Sequence, residues 1–220
     1  MILSNKNLER YGNFKTTNDF RVNAGDLMKY YILKVLGEYK NEKFCITDGM
    51  PKGIKGNKLA LKYGGSLKDI YPENPLDVTM HLDEDSPKHI KLGSYISNTS
   101  NYVMVSKDVV EELKKYNIGE VDFWPFTLIN HKGRIHSQDY SFVCPVSSFD
   151  ALNENLSEID RDANGVAIGV DKVVLDNEKL KNALDLFRIN DIRLMAFSEP
   201  LVQVLQEKYT NFVFEKAEQV

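Results

Sequence analysis

The clearest pattern of apolar and polar positions begins at Tyr102. Tyr102-Val103-Met104-Val105 is a β-rich apolar run. Ser106 follows as an N-cap whose hydroxyl can accept from the first helical turn, and Asp108 sits near the positive end of the helix dipole. Val109, Leu113 and Tyr116 recur at helical spacing, so one face is apolar, and Asn117 and Gly119 supply the stop. Val121-Asp122-Phe123-Trp124 then starts a strand that Pro125 limits. The end of the chain repeats the arrangement. Ile192 to Phe197 is a β-rich run, Ser198 is a cap, and Pro200 falls in the first turn, where a missing N–H costs nothing. Leu201, Val202 and Leu205 form the stripe, and Asn211 precedes a strand at Phe212-Val213-Phe214. Aligning Ser106 with Ser198 matches Val109 with Leu201, Val110 with Val202, Leu113 with Leu205 and Val121 with Val213, without a gap. Two capped amphipathic helices can match by chance; the strand flanking each side favours a repeated strand–helix–strand unit.

Elsewhere the pattern is weaker. The first two dozen residues are polar and aperiodic, and Tyr30 to Leu36 suits a buried strand or a short helix before Gly37. A short strand is expected at Lys43-Phe44-Cys45-Ile46-Thr47, ending at Asp48-Gly49, followed by a Gly- and Lys-rich loop over residues 49–58 and a turn at Gly64-Gly65. Residues 72–100 read as a long connection with one short strand at Asp77 to Leu82. Phe126 to Asn130 and Asp139 to Pro145 form a hairpin around His131-Lys132-Gly133-Arg134. Phe149, Leu152, Leu156 and Ile159 have helical spacing. Gly165 to Leu175 alternates as a strand, and Leu180, Leu184 and Phe187 suggest a further helix or turn. Strands and helices mix without regular βαβ alternation. The expected class is α+β, with a mixed, mainly antiparallel sheet, several short helices and the repeated unit. The expected division is an N-terminal region 1–95 and a domain 96–220 holding the repeat.

Composition narrows the class. The 220 residues are 42% hydrophobic and 27% charged, ordinary for a globular chain able to bury a core. No apolar run reaches the roughly 18 residues of a membrane span, and Met1-Ile2-Leu3-Ser4-Asn5-Lys6 lacks the apolar core of a signal peptide. A cytoplasmic location without membrane contact is expected. Cys45 and Cys144 lie far apart, outside any C-x-x-C pair, and read as buried reduced thiols. The net charge of −4 is uneven. Residues 1–68 hold 13 Lys and Arg against 6 Asp and Glu, a net of +7; residues 69–220 hold 15 against 26, a net of −11. The asymmetry marks either a surface for a charged partner or two solvated faces.

The search for chemistry returns one sharp match. Asp160-Arg161-Asp162-Ala163-Asn164-Gly165, with Asp171 at the twelfth position, fits the D-x-D-x-N-G pattern of a Ca²⁺ loop, with candidate ligands Asp160, Asp162, Asn164 and Asp171. The last ligand is Asp instead of a bidentate Glu, and a strand follows in place of an exiting helix. An Asx turn is the competing reading. His81 stands near Asp83-Glu84-Asp85, a metal cluster or an exposed acidic loop. His131 and His136 flank the hairpin tip, where solvent exposure is expected. No histidine falls in H-E-x-x-H, no G-x-S-x-G occurs, and the loop over 49–56 lacks the Walker order. Lys52, Lys55, Lys58, Lys62 and Lys68 interleave only Tyr63 as a stacking aromatic, so nucleic-acid binding is a minor reading.

A family resemblance adds to this. Val103-Met104-Val105-Ser106, the helix after it, Val121-Asp122-Phe123-Trp124-Pro125, Tyr140, Asp185-Leu186-Phe187-Arg188 and Phe197-Ser198-Glu199 together resemble bacterial polymorphic-toxin immunity proteins of the eleventh immunity class. That class shows a "VS" strand end before a helix, an aliphatic-aromatic strand after it, and an "lFR" segment before a second "S-E" helix. The resemblance covers about residues 95–217. Two features depart from it: Phe197 stands where Val is expected, and no Gly precedes the last strand. It implies a non-enzymatic protein without a cofactor or catalytic residues, which binds and neutralises a cognate toxin domain. An acidic surface suits a basic nuclease toxin, and Asp83, Glu84 and Asp85 are the candidate contacts. The rival readings are a metal-dependent enzyme built on the Asp160–Asp171 loop and a ligand-binding regulatory domain.

Overall fold

The strands of this α+β protein gather into two larger sheets and three strand pairs in a computed structural model that describes residues 27–38, 43–56, 58 and 60–220. The polar opening of the chain, residues 1–26, lies outside the described residues.

The first sheet combines β1 (Tyr30–Leu33), β8 (Ser148–Phe149), β12 (Leu186–Ile189), β13 (Met195–Ser198) and β14 (Phe214–Lys216), in the order β14-β1-β13-β12-β8. The second combines β3 (Thr79–His81), β5 (Met104–Ser106), β6 (Val121–Ile129) and β7 (Ile135–Pro145), in the order β3-β6-β7-β5. The strand pairs are β2 (Ile46–Thr47) with β4 (Ser97–Asn98), β9 (Glu158–Arg161) with β10 (Ala167–Lys172), and β11 (Val174–Leu175) with β15 (Glu218–Gln219). The described helices are α1 (Ala60–Tyr63), α2 (Lys107–Leu113) and α3 (Glu199–Lys208).

The repeat expected from the sequence takes one geometry twice. β5 and β6 are both antiparallel to β7, which lies between them, so they run parallel to each other and are joined by α2. β13 and β14 are both antiparallel to β1, lie on its two sides, and are joined by α3. Each unit is therefore a β-α-β crossover split by one antiparallel strand. The likeness extends one strand upstream. The Ser106 N–H donates to the Ser94 carbonyl at 2.9 Å, as the Ser198 N–H donates to Asp185 at 2.8 Å. Tyr95 bridges Val105 antiparallel, as Leu186 pairs with Phe197. Helix and strand are rejoined in both copies by a left-handed residue, Gly119 at φ 63° and Asn211 at φ 68°. Asparagine tolerates that region, so Asn211 does the work of the glycine that the last strand lacks.

The aligned pairs meet in space. Val109, Val110 and Leu113 of α2 share one core with Leu201, Val202 and Leu205 of α3, and Val105, Val143, Leu186 and Phe197 line it from the two sheets. Strand alternation sends the next residues outward. Met104, Phe126, Phe142 and Cys144 face a second core under α1 and the 67–82 segment, while Phe187, Ile189 and Ala196 face a third with Leu152, Leu175 and Leu180. Both larger sheets take strands from either side of the expected division after residue 95, β1 in one and β3 in the other, and Tyr95 is wholly buried in the shared core.

Several local expectations change. The spacing of Phe149, Leu152, Leu156 and Ile159 does not make a helix. Phe149 is in β8, Leu152 bridges Leu175, Leu156 lies in an exposed turn, and Ile159 is in β9. Pro125 does not interrupt β6, which runs nine residues through it. β3 covers only Thr127 to Ile129, so the outer flank of Pro125 has no strand beside it that would need its N–H. The strand after α3 starts at Phe214, two residues later than expected, because the left-handed turn at Asn211 leaves Phe212 to plug the shared core. Ser106 and Ser198 hold the extended N-cap conformation, yet neither side chain caps its helix. The Ser198 hydroxyl donates to the Asp185 carboxylate at 2.7 Å instead.

Candidate functional site

Asp83, Glu84 and Asp85 form the turn after β3. The Asp83 carboxylate is used internally: Oδ1 accepts from the Asp85 N–H at 3.2 Å and Oδ2 from the Ser86 hydroxyl at 2.7 Å. Its backbone carbonyl lies 2.9 Å from His131 Nε2, which ties the turn to the β6–β7 hairpin. Glu84 and Asp85 are exposed. The turn thus presents two carboxylates from a backbone fixed by the third.

The Asp160–Asp171 segment closes as the β9–β10 hairpin. Asp162 Oδ1 accepts from the Asn164 and Val166 N–H groups at 2.8 and 2.9 Å, and Gly165 takes a left-handed φ of 79°. These are the bonds of an Asx turn. Asp160 pairs with Gly169 across the strands, and Asp171 lies further down β10. Asp160 and Asp171 thus lie in the two strands and Asp162 and Asn164 in the turn between them, and among the described residues no group of three His, Cys, Asp or Glu is arranged to hold a metal.

The histidines are apart from one another and in contact with the fold. His131 and His136 are half-buried, not exposed; His136 Nε2 lies 2.9 Å from the Ile90 carbonyl because the hairpin tip leans on the 83–90 segment. His89 Nδ1 lies 3.1 Å from the Phe44 carbonyl. Burial, aided by nearby Lys52, lowers the pKa of His81, against an opposing pull from Glu84. Cys45 and Cys144 are free and buried, and burial pushes both thiols up to about 12, so neither is a ready nucleophile. Two lysines of the basic run are engaged by the fold. Lys58 donates to the Pro51 carbonyl at 2.8 Å, and Lys62 lies over the Tyr102 ring, 5.2 Å from its centroid.

A feature the sequence did not single out for function is a cleft of about 320 Å³ between the β9–β10 hairpin and the β8–β12 edge of the first sheet. Arg188, Arg161, Ser148, Asn190, Asp191 and Tyr63, with Asn164, supply its polar side chains. Arg188 is 1% exposed within a wholly buried strand. Its guanidinium donates from Nη1 to the Lys62 carbonyl and from Nη2 to the Leu61 carbonyl at 3.4 Å, while buried Nε makes no hydrogen bond. Arg188 has no salt bridge with any described residue, and burial depresses its pKa. One signal was available in the sequence: a charged residue inside the apolar run Leu186 to Ile189.

No protein-family model matches this chain, and neither does any curated protein.

Proposed function

We propose that the chain is a non-enzymatic immunity-type protein, acting in the cytoplasm, that binds a cognate bacterial toxin domain and neutralises it by covering its surface. The observation that carries this reading is the commitment of reactive side chains to the fold. Both thiols are buried and held protonated, and His89, His131 and His136 are each engaged by a backbone carbonyl. Such groups are poorly placed for nucleophilic or general-base work, which needs a base aimed at a nucleophile. Inhibition by occlusion needs only a rigid, complementary exterior of about 800 Å² per partner. The segments that carry the family resemblance form the paired split units, a stiff support for such a face.

The contact we assign is the acidic turn, where Glu84 and Asp85 project from a backbone held by Asp83 and His131. Exposed carboxylates of this kind steer a basic partner and act mainly on the association rate. The reading requires a secreted protein with a toxic C-terminal domain encoded beside this chain, and the test is co-expression with that domain. Cells should survive and yield a one-to-one complex, and the double variant E84K/D85K should associate about tenfold more slowly at low salt. Death of cells that contain the folded full chain would refute the reading. Unchanged association of the double variant would remove the acidic turn from the interface.

A further inference from the structure

We propose that the cleft between the β9–β10 hairpin and the β8–β12 edge binds a small oxyanion of the phosphate class, held by Arg188 and Arg161. The starting point is an electrostatic imbalance. A guanidinium is always charged at neutral pH, and a buried charge without a partner is costly. Arg188 is buried on a cleft wall, and its ion-pair partners among the described residues are none; two backbone carbonyls of α1 fix its position without neutralising it. The neighbouring Cys144 thiol, pushed up to about 12, stays neutral and supplies no counter-charge.

The remaining lining is suited to the same ligand. Arg161 brings a second guanidinium from β9, with its side chain 30% exposed, donating from Nη1 to the Gly165 carbonyl at 3.0 Å. Its Nη2 is shared between Glu154 at 3.3 Å and Asp191 at 3.8 Å, so the cation leans on the cleft from the solvent side. The Ser148 hydroxyl donates to Asn190 Oδ1 at 2.9 Å, which leaves the Asn190 Nδ2 group as a donor with no hydrogen-bond partner among the described residues. The Tyr63 ring of the lining is held by the Arg193 guanidinium, 4.6 Å from its centroid. Asp191 is the one carboxylate in the lining. Glu154 and Asp191 already pair with Arg161, so the uncompensated positive charge at the cleft is that of Arg188, and arginine matches oxyanions through paired N–H donors. A volume of about 320 Å³ admits a phosphoryl group with a small substituent. This inference does not depend on toxin binding, and its test uses no toxin.

Calorimetric titration of the full chain at fixed ionic strength is the test, with inorganic phosphate, glycerol phosphate and acetate as separate probes. Saturable binding of phosphate or of glycerol phosphate is expected, and the tighter of the two tells a free ion from a phosphomonoester. R161Q, at a surface-reaching side chain, should weaken it about tenfold. D191N should tighten it severalfold, since it removes the competing carboxylate while asparagine suits the left-handed φ of 63° at that position. No saturable binding of either phosphate probe would overturn the proposal. So would acetate binding as tightly as phosphate, or identical affinities for wild type, R161Q and D191N.

Discussion

Gly119 and Asn211 solve one problem with two chemistries. Both turn the chain from helix to strand through a left-handed residue. A Cβ at Gly119 would meet Leu184 Cδ1 at 2.7 Å, so G119A adds a clash to an unfavourable φ and should cost roughly 1–3 kcal/mol. Asn211 is wholly buried. Its Nδ2 donates to the Tyr95 carbonyl at 2.8 Å and to Ser97 Oγ at 3.0 Å, and its Oδ1 accepts from the Glu38 N–H at 2.7 Å. N211A leaves those partners unsatisfied and should cost roughly 2–4 kcal/mol, more than N211G, in urea unfolding. Glu112 belongs to the same scale. Burial pushes its carboxyl up, but hydrogen bonds from Lys115 and Tyr209 and the charges of Lys115 and Lys208 win, so its pKa falls below the usual 4.5. A carboxylate with a depressed folded pKa stabilises above its unfolded pKa and loses that contribution as pH drops through the folded one. Stability should therefore decline on acidification below about pH 4.5, and E112Q should show a shallower acid limb in thermal melts from pH 7 to 3.

At the level of elements, what could be read from the sequence was whatever is determined locally. α2 and α3 start after Ser106 and Ser198 because each apolar stripe has helical period and each first turn holds an acidic residue. The β6–β7 hairpin was legible from its turn residues, with Gly133 at φ 69°. The false helix at Phe149 to Ile159 shows where this fails: three of the four apolar residues pair with three different strands, and Leu156 is 48% exposed. The Arg188 cleft was illegible for the same reason, since its walls come from β8, β12 and the β9–β10 hairpin, brought together only by long-range packing. The acidic turn was legible because consecutive charges need no tertiary context. The Asx turn at Asp162 makes a prediction of its own. D162A should loosen the β9–β10 hairpin, raising amide exchange at Asn164 and Val166 while lowering global stability by no more than about 1 kcal/mol. Ca²⁺ at millimolar concentration should leave the wild-type melting temperature unchanged, because Asp162 Oδ1 is spent on the turn and Asp160 and Asp171 lie apart in the strands.

For the whole molecule, the decisive feature is that the two split units do not stand apart. Val109, Val110 and Leu113 pack in the same core as their counterparts Leu201, Val202 and Leu205, and the Tyr209 hydroxyl reaches across the helix pair to Glu112 Oε2 at 3.2 Å. Strands from the first hundred residues complete both sheets. The described chain should thus open as one body, and a stiff body of this kind is what the proposed occluding surface and the proposed oxyanion cleft would both require. Native-state hydrogen exchange tests this most directly. Amides of α2 and β5 and those of α3 and β13 should share one opening free energy, equal to that of global unfolding. Opening free energies for the two sets more than about 2 kcal/mol apart would contradict the account, since each unit would then be folding on its own.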